Sequence, residues 1–212
     1  MTATIGFHDI SNLAGKGEVI IIYRLFKGKL SEKCYLCDRE YYKRIMKEIY
    51  FAGGCFWGTE HYFKMVNGVV ETEVGYANGH TENPTYQDVC TDKTGFAETV
   101  RIAYDPEVIS LEFLTEMYFK AIDPTSVNQQ GHDVGTQYRT GIYFTDENDV
   151  PTLKKVYDRV QAEVKRRLAV ELLPLKNFYT AEDYHQDYLD KNPDGYCHLP
   201  LELFEMAKRA NR

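Results

Sequence analysis

The chain of 212 residues is 43% hydrophobic and carries a formal net charge of −7, a composition that can form one large folded domain. An acidic chain without a Lys/Arg cluster is a poor ligand for phosphate backbones or anionic lipid, so we expect neither nucleic-acid nor membrane partners. The longest aliphatic run, residues 19–22, is far shorter than the ~20 residues that span a bilayer. The N-terminus lacks the basic and apolar regions of a secretory signal. We therefore expect a soluble cytoplasmic protein.

Residues 1–45 differ in pattern from the rest of the chain, and we predict that they form an N-terminal extension of their own. Cys34 and Cys37 form a CxxC pair there, which is compatible with half of a zinc site, an accessory redox pair or simply two thiols. No second CxxC or pair of histidines completes a set of four ligands. Two thiols without a special role are therefore the simplest interpretation.

From Met46, which could itself be an alternative start, strand and helix patterns alternate. Alternating polarity and apolar runs predict strands at residues 46–52, 69–76, 98–104 and 140–145. Helical spacing predicts helices at residues 56–66, 111–121, 151–169 and 181–190, with Ser110 as the N-cap of the second. Because several strands are close in sequence, we predict an α/β (α+β) fold. It would be a two-layer sandwich with a mixed central sheet, long loops that carry the functional site and an irregular C-terminal tail.

Cys55 lies where the first predicted strand ends and the first helix begins. Gly53 and Gly54 allow the backbone to turn sharply there, and a helix N-terminus directs amide donors and partial positive charge at the sulfur. Both effects are predicted to lower the pKa of the thiol and to raise the fraction of nucleophilic thiolate. The alternative is an inert, buried cysteine at a tight turn. Phe56 and Trp57 follow directly and, beside a nucleophile, would form an apolar wall for a methyl or thioether-like group.

Four polar residues on later segments are further candidates for the chemistry. Glu98 begins a predicted strand between apolar neighbours, so its carboxyl is either paired, exposed or neutral with a raised pKa. A neutral carboxyl can donate a proton to an oxygen. Asp133 and Tyr138 flank a Gly-Thr-Gln turn, and Tyr86 lies on an earlier loop. Tyrosine hydroxyls can hold an oxygen or a water without ionising near neutral pH.

Cys197 lies in a segment rich in Pro and Gly near the C-terminus, where order is usually weakest. Such a segment could bring its sulfur to another sulfur. A disulfide between Cys197 and Cys55 would then form during turnover and would not be a permanent cross-link.

Taken together, the motifs around these residues resemble the A-type peptide methionine sulfoxide reductases. They are, in chain order, residues 54–58 (GCFWG) with Glu60, Tyr76, residues 83–86 (NPTY), 94–98 (TGFAE), 104–106 (YDP), 135–139 (GTQYR), 184–186 (YHQ) with 188–189 (YL), and 191–193 (KNP) with 195–197 (GYC). The resemblance is highly specific because many separate motifs occur in the same order. Phe96 stands where family members often carry histidine, and the tail lacks the further cysteine that some members use.

The resemblance implies a catalytic domain over residues 46–198, between an extension at 1–45 and a tail at 199–212. It implies that Cys55 attacks the sulfur of methionine S-sulfoxide, free or in proteins. Glu98 would protonate the sulfoxide oxygen.

Other residues would hold the substrate. By the resemblance, Tyr86 and Tyr138 donate hydrogen bonds to the sulfoxide oxygen, and Asp133 organises water and the polar end of the site. Phe56 and Trp57 would seat the ε-methyl group. The remaining candidate substrate-binding residues are His185, Tyr188 and Tyr196.

The resemblance also implies how the enzyme is regenerated. Cys55 becomes a sulfenic acid, Cys197 condenses with it to a disulfide, and thioredoxin or a small thiol reduces that disulfide. We expect no metal and no cofactor. The expected partners are thioredoxin, oxidised proteins and free methionine sulfoxide, and we expect a monomer. Cys90 matches a position where many members keep a cysteine that turnover does not need, so we interpret it as structural.

Two alternative functions remain open on the sequence. One is an acyl-transfer enzyme that uses Cys55 with His185 and Asp133, which requires a base within hydrogen-bond reach of the sulfur. The other is a protein without catalytic activity that binds oxidised or exposed methionines through the aromatic pair Phe56 and Trp57.

Overall fold

The structure of the protein, a computed structural model, describes residues 46–210. The extension at 1–45, with the Cys34–Cys37 pair, lies outside the described residues. Within residues 46–210, no helix is both long enough and apolar enough to cross a lipid bilayer.

The described residues form a six-stranded sheet and a two-stranded ribbon. The strands are β1 (Lys47–Gly53), β2 (Val69–Ala77), β3 (Ala97–Tyr104), β4 (Gln129–Gln130), β5 (Asp133–Val134), β6 (Thr140–Phe144), β7 (Glu171–Pro174) and β8 (Phe178–Thr180). The order in the large sheet is β7-β6-β1-β3-β2-β8. Strands β6 and β7 run parallel, and the other neighbours are antiparallel. The predicted mixed sheet is confirmed.

Helices pack against the sheet and against one another. They are α1 (Phe56–Lys64), α2 (Tyr86–Val89), α3 (Leu111–Ala121), α4 (Val150–Glu163), α5 (Tyr188–Lys191) and α6 (Leu201–Arg209), with 3-10 turns at Thr136–Tyr138 and Glu147–Asp149. Helix α1 packs against β2 and β3, and α3 packs against β1 and α4. The predicted cap of α3 is confirmed, because the Ser110 hydroxyl accepts a hydrogen bond from the Phe113 amide at 3.2 Å.

Strand β1 is the central element that positions the candidate site. It lies between β3 and β6, and its residues from Tyr50 onwards are all buried, which explains its continuous apolar run. Phe51 stacks on Tyr118 of α3, with ring centroids 4.6 Å apart. The Tyr118 hydroxyl donates a hydrogen bond to the Ala52 carbonyl at 2.8 Å. The end of β1 that leads to Cys55 is therefore held from the helix side as well as by the sheet.

The helix predicted at 151–169 is too long, because α4 ends at Glu163. Leu168 and Val170 are buried, and the Ala169 amide donates a hydrogen bond to the Pro124 carbonyl at 2.7 Å. These contacts favour an extended backbone that leads into β7. The charged run before Leu168 has ordinary helix propensity, so only tertiary contacts reveal where the helix ends.

The helix predicted at 181–190 is also wrong over most of its length, because α5 covers only Tyr188–Lys191. The preceding segment is attached to the sheet by Gln186. Its side-chain oxygen accepts a hydrogen bond from the Val74 amide at 3.0 Å, and its side-chain nitrogen donates one to the Val74 carbonyl at 2.9 Å. This side chain satisfies the backbone of β2 as a further strand would, and it holds the segment out of a helix.

The tail predicted to be irregular contains helix α6. Phe204 and Ala207 of this helix are buried in the core, and α6 packs against α1 and α3. Cys197 itself lies in an irregular segment, between α5 and α6. This segment is therefore attached to ordered structure on both sides.

Candidate active site

Cys55 is the N-cap residue of α1 and is only 6% exposed. The chain turns between β1 and α1 at Gly54, whose φ of +82° favours glycine; a Cβ there would also lie 2.6 Å from the Gln130 side chain. The backbone amides of Trp57 and Gly58 lower the pKa of the Cys55 thiol, as predicted, although its side chain forms no cap hydrogen bond. Burial raises the pKa more, so the predicted net lowering is wrong.

Glu98 explains much of the electrostatic environment of Cys55. Its carboxyl lies on β3 and is 1% exposed, so it is not a solvent-exposed residue at a strand end. Its Oε2 accepts a hydrogen bond from the Phe56 amide at 3.0 Å, which places it beside the first turn of α1. Burial raises the pKa of Glu98 to about 8. Near neutral pH the carboxyl is therefore mainly protonated, and its second oxygen can carry the proton.

When Glu98 is ionised, its negative charge raises the pKa of the Cys55 thiol. After burial, this charge is the largest influence that raises the pKa of Cys55, followed by the charge of Asp133. Protonation of Glu98 removes the charge that raises the pKa of Cys55 more strongly. The two groups consequently titrate as a pair, and the protonated carboxyl is the form that permits a thiolate at Cys55.

The charge of Glu98 also acts on two tyrosine hydroxyls. Tyr86 is the first residue of the short helix α2 and not part of a loop, since Thr85 caps that helix. Tyr138 ends a 3-10 turn. Burial raises the pKa of both hydroxyls, and the charge of Glu98 raises each further. The Tyr86 hydroxyl partly opposes the upward shift of the Tyr138 pKa. Both groups remain neutral donors at physiological pH.

The aromatic residues beside Cys55 form one layered cluster. Trp57 stacks on Tyr188 with ring centroids 3.6 Å apart, and its indole nitrogen donates a hydrogen bond to Nδ1 of His185 at 3.0 Å. Phe56 lies 5.0 Å from the His185 ring, and Tyr86 lies 4.7 Å from it. His185 is therefore the centre of this cluster.

The position of His185 argues against the acyl-transfer alternative. Its Nδ1 is occupied by the Trp57 indole, and burial lowers its pKa, so the ring is neutral. Its Nε2 lies 4.0 Å from Glu182. The charges that act on Cys55 come from Glu98 and Asp133. His185 therefore supports the aromatic residues Phe56 and Trp57, and it is not positioned as a base for the Cys55 sulfur.

Glu182 is a positioning residue that sequence reasoning missed. One of its oxygens accepts a hydrogen bond from the Tyr86 amide at 2.8 Å, and the other accepts one from the Tyr76 hydroxyl at 2.8 Å. It thereby holds the start of α2 against β2. The sequence presents Glu182 at the start of a predicted helix, and nothing local to it indicates this role.

Asp133 and the segment 196–198 form the other side of the site. The Tyr196 hydroxyl donates a hydrogen bond to Oδ1 of Asp133 at 3.0 Å, whereas Oδ2 is buried without a hydrogen-bond partner in the described part of the chain. Cys197 is half-buried and lies against α1. A Cβ on Gly58 would be 3.0 Å from the Cys197 sulfur and 3.0 Å from Nδ1 of His198. The absence of a side chain at Gly58 allows this approach.

His198 is a second residue that the sequence analysis did not select. One ligand atom each from Cys55, Asp133 and His198 lies within 4.8 Å of the other two, and among residues 46–210 this is the group whose geometry could hold a metal ion. Thiolate, imidazole and carboxylate are ligands that zinc accepts. The expectation of a site without metal stays a prediction. The only local signal for His198 is that it directly follows Cys197.

A reactive sulfur that faces a protonated carboxyl and two neutral hydroxyls is the arrangement of a thiol-dependent enzyme that protonates an oxygen of its substrate. The mixed sheet with α1 at its end holds these groups on separate segments. The family model described as peptide methionine sulfoxide reductase matches residues 47–211. The chain belongs to that family, which confirms the resemblance seen in the motifs.

Comparisons with individual proteins also identify methionine sulfoxide reductases as relatives. The chain is 58% identical over 160 residues to the peptide methionine sulfoxide reductase MsrA of Clostridium acetobutylicum, which covers 76% of this chain and 99% of that protein. The crystal structure of Mxr1 from Saccharomyces cerevisiae in reduced form matches with a TM-score of 0.70 at 43% identity, over 73% of this chain and 90% of Mxr1. Mxr1 in complex with Trx2 matches with a TM-score of 0.50 at 30% identity, over 68% of this chain and 86% of that one.

Proposed function

We propose that this protein reduces the S epimer of methionine sulfoxide, free or in proteins, to methionine, with Cys55 as the attacking sulfur and Glu98 as the acid. Membership of the reductase family supports the reaction. The observation that carries the residue assignment is the hydrogen bond from the Phe56 amide to Glu98 at 3.0 Å. It joins a buried carboxyl with a raised pKa to the residue that directly follows the nucleophile.

In the first half of the proposed reaction, the Cys55 sulfur attacks the sulfoxide sulfur while Glu98 protonates the sulfoxide oxygen. The attack forms a bond between the two sulfurs; the protonated oxygen then transfers to the Cys55 sulfur, the substrate's S–O bond and the bond between the sulfurs break, methionine leaves, and Cys55 is left as a sulfenic acid. The substrate sulfur gains two electrons and the Cys55 sulfur loses two. Tyr86 and Tyr138 donate hydrogen bonds to the oxygen as it becomes more negative, which lowers the barrier in the way of an oxyanion hole.

The aromatic cluster supports binding of the methyl group. Trp57 is fixed on both sides, by stacking on Tyr188 and by its hydrogen bond to His185. Phe56 is 1% exposed and backs the pocket. A rigid apolar surface beside the nucleophile orients the sulfoxide so that its sulfur faces Cys55 and its oxygen faces Glu98. With the methyl group, the sulfur and the oxygen all fixed, only one epimer of the sulfoxide would place its oxygen at Glu98.

In the second half, Cys197 attacks the sulfenic sulfur of Cys55 and forms a disulfide. Capture must be fast because further oxidation to the sulfinic acid is largely irreversible. Cys55 is the N-cap residue of α1, and Cys197 lies beside the first turn of the same helix, since a Cβ on Gly58 would be 3.0 Å from its sulfur. We propose thioredoxin as the protein reductant, supported by the complex of Mxr1 with Trx2. These steps need reduced cysteines, which also supports a cytoplasmic location.

Mass spectrometry tests the proposed thiol chemistry directly. Reduced wild-type enzyme treated with methionine S-sulfoxide is expected to lose two hydrogens, with the change located in one cross-linked pair of peptides that contain Cys55 and Cys197. The R epimer serves as the control substrate and is expected to leave the mass unchanged. An unchanged mass with the S epimer, with no methionine released, would contradict the proposed function.

The Cys197→Ser variant separates the two halves of the reaction. We expect it to release about one methionine per enzyme in a burst and then to stall with thioredoxin. With dithiothreitol it should turn over, because a small thiol can reach Cys55 itself. Quenched-flow measurement of methionine checks both results. Full turnover with thioredoxin would show that another cysteine resolves the sulfenic acid, and Cys34 or Cys37 would then be tested next.

The Gly58→Ala variant tests the approach of Cys197 to α1. The added methyl group would lie 3.0 Å from the Cys197 sulfur and must displace it. Overpacking typically costs about 1–3 kcal/mol, so we expect disulfide formation to slow by about 10- to 100-fold. The methionine burst should remain, since the substrate side of Cys55 is unaltered. Alanine also favours a helix over glycine, so thermal unfolding is expected to show a folded protein. A wild-type rate of disulfide formation would contradict the prediction.

A further inference from the structure

We propose that His198 is the proton carrier of the disulfide-forming step: its Nδ1 accepts the proton of the Cys197 thiol and returns it to the hydroxide that leaves Cys55. This inference rests on the proposed function, since it requires a sulfenic acid on Cys55. It concerns a residue that follows the resolving cysteine directly and that has no role in the first half of the reaction.

The hydrogen bonding of the ring determines which nitrogen can act as the base. Nε2 of His198 lies 3.2 Å from the Gly53 carbonyl oxygen. A carbonyl oxygen only accepts hydrogen bonds, so Nε2 must carry the hydrogen, and Nδ1 of the neutral ring has the free lone pair. Nδ1 is buried and has no hydrogen-bond partner within residues 46–210. A buried acceptor without a partner is costly, and a catalytic role accounts for it.

The position of the His198 ring matches both ends of the proton transfer. Nδ1 and the Cys197 sulfur lie on the same side of Gly58, each 3.0 Å from the position of a Cβ on that residue. The His198 ring also belongs to the group in which ligand atoms of Cys55, Asp133 and His198 lie within 4.8 Å of one another. The base is thus placed beside the thiol that must lose a proton and beside the sulfur from which hydroxide leaves.

The electrostatics of the pocket suit a base that is neutral at rest and charged for a short time. Burial lowers the pKa of His198, and the charge of Asp133 raises it in part. Burial also raises the pKa of the Cys197 thiol, so this thiol needs a base. Once His198 is protonated, the carboxylate of Asp133 stabilises the imidazolium.

Other groups fit this role less well. Asp133 is the charged group that acts on Cys197, but one of its oxygens already accepts a hydrogen bond from the Tyr196 hydroxyl. Glu98 has the raised pKa of a better base, yet it is bound to the Phe56 amide on the substrate side of Cys55. Imidazole, with a pKa nearer to neutrality, is the better match.

The proposed step balances. The S–H bond of Cys197 breaks and its proton moves to Nδ1. The Cys197 sulfur forms the S–S bond with Cys55 while the S–OH bond of the sulfenic acid breaks. The departing hydroxide takes the proton from Nδ1 and leaves as water. The Cys55 sulfur gains one electron and the Cys197 sulfur loses one, so no external oxidant or reductant is needed, and His198 returns to its neutral form.

A rapid-quench experiment on the full chain tests this role. Methionine release and disulfide formation are measured separately in the wild type, in His198→Ala and in His198→Gln. Glutamine can still donate a hydrogen bond to the Gly53 carbonyl but cannot accept a proton. We expect both variants to release the same burst of methionine as the wild type and to form the disulfide about 100-fold more slowly, a typical loss for a general base. The matched control is His132→Ala, an exposed histidine on the neighbouring turn, which should behave as the wild type.

Chemical rescue distinguishes a proton carrier from a structural residue. Added imidazole is expected to restore disulfide formation in His198→Ala at least tenfold, with rates that follow the pKa of substituted imidazoles. It should not restore His198→Gln, whose side chain fills the space. Disulfide formation at the wild-type rate in either variant would overturn the proposal. So would a slow His198→Ala variant that no imidazole accelerates.

The two proposals fail in different ways. If the wild type released no methionine, the proposed function would fall. The role of His198 would still be decided by oxidising Cys55 to the sulfenic acid with hydrogen peroxide and following the disulfide in the same variants. If methionine is released normally but His198 has no effect on the disulfide, only the inference about His198 falls.

Discussion

Replacing Cys55 with serine is expected to abolish methionine formation, with free methionine sulfoxide and with dithiothreitol as reductant. Serine is close in size, so it should fit the N-cap position of α1 beside the amides of Trp57 and Gly58. It nevertheless cannot supply the thiolate that attacks the sulfoxide or become a sulfenic acid. Methionine release measured by chromatography over many enzyme equivalents checks this.

The matched control for this prediction is Cys90→Ser. Cys90 is exposed and follows α2, and its replacement is expected to leave activity near that of the wild type. Activity of Cys55→Ser at a level similar to the control would contradict the assignment of the nucleophile.

Replacing Glu98 with glutamine is expected to slow the chemical step by about 10²–10⁴-fold, the usual contribution of general acid catalysis. Substrate binding should change much less, because glutamine can still accept the hydrogen bond from the Phe56 amide. Single-turnover rates at saturating methionine sulfoxide separate the two effects. Glu60→Gln is the matched control: this carboxyl is also buried and its pKa is also raised by burial, to about 7, but it binds Thr72 and the Asp187 amide away from the sulfur.

The raised pKa of Glu98 also predicts how its catalytic contribution changes with pH. The acid must be protonated to act, and the pKa of Glu98 is raised to about 8. The contribution of Glu98 is therefore present below that pH and is lost as the pH rises through it. The fraction of Cys55 thiolate rises with pH in both proteins, so the ratio of the wild-type single-turnover rate to the Glu98→Gln rate is the quantity that should fall as the pH rises through about 8. An undiminished rate in Glu98→Gln between about pH 6 and about pH 8 would remove Glu98 from the role of acid.

Secondary structure was predictable where the signal is local. Helix α3 has the predicted bounds and the predicted Ser110 cap, because its apolar spacing and its cap lie within one short segment. The predictions failed where contacts between distant segments override propensity. The charged run before Leu168 continues a helical pattern, but burial of Leu168 and Val170 ends α4 early. Gln186 similarly turns a predicted helix into a segment attached to β2.

The candidate site likewise has features that are encoded locally and features that depend on distant segments. The turn through Gly54 and the placement of Cys55 at a helix N-terminus are local, since they follow from glycine and from the change of pattern between β1 and α1. The direction of the pKa shift at Cys55 is not local. It depends on burial by the whole fold and on Glu98 and Asp133, which lie on β3 and β5. The local amide donors were predicted, and the larger opposing effects were not.

The sequence by itself determined the family and predicted a nucleophile at the start of α1, because ordered motifs and backbone preferences are encoded in short segments; it did not indicate Glu182 or His198. Only the tertiary structure decided that Glu98 is buried and protonated, that His185 supports Trp57, and that His198 has a free nitrogen beside two cysteines. Each of these is a property of desolvation or of a hydrogen bond between residues far apart in the chain. Such properties appear only when folding removes water from a group and brings its partners together.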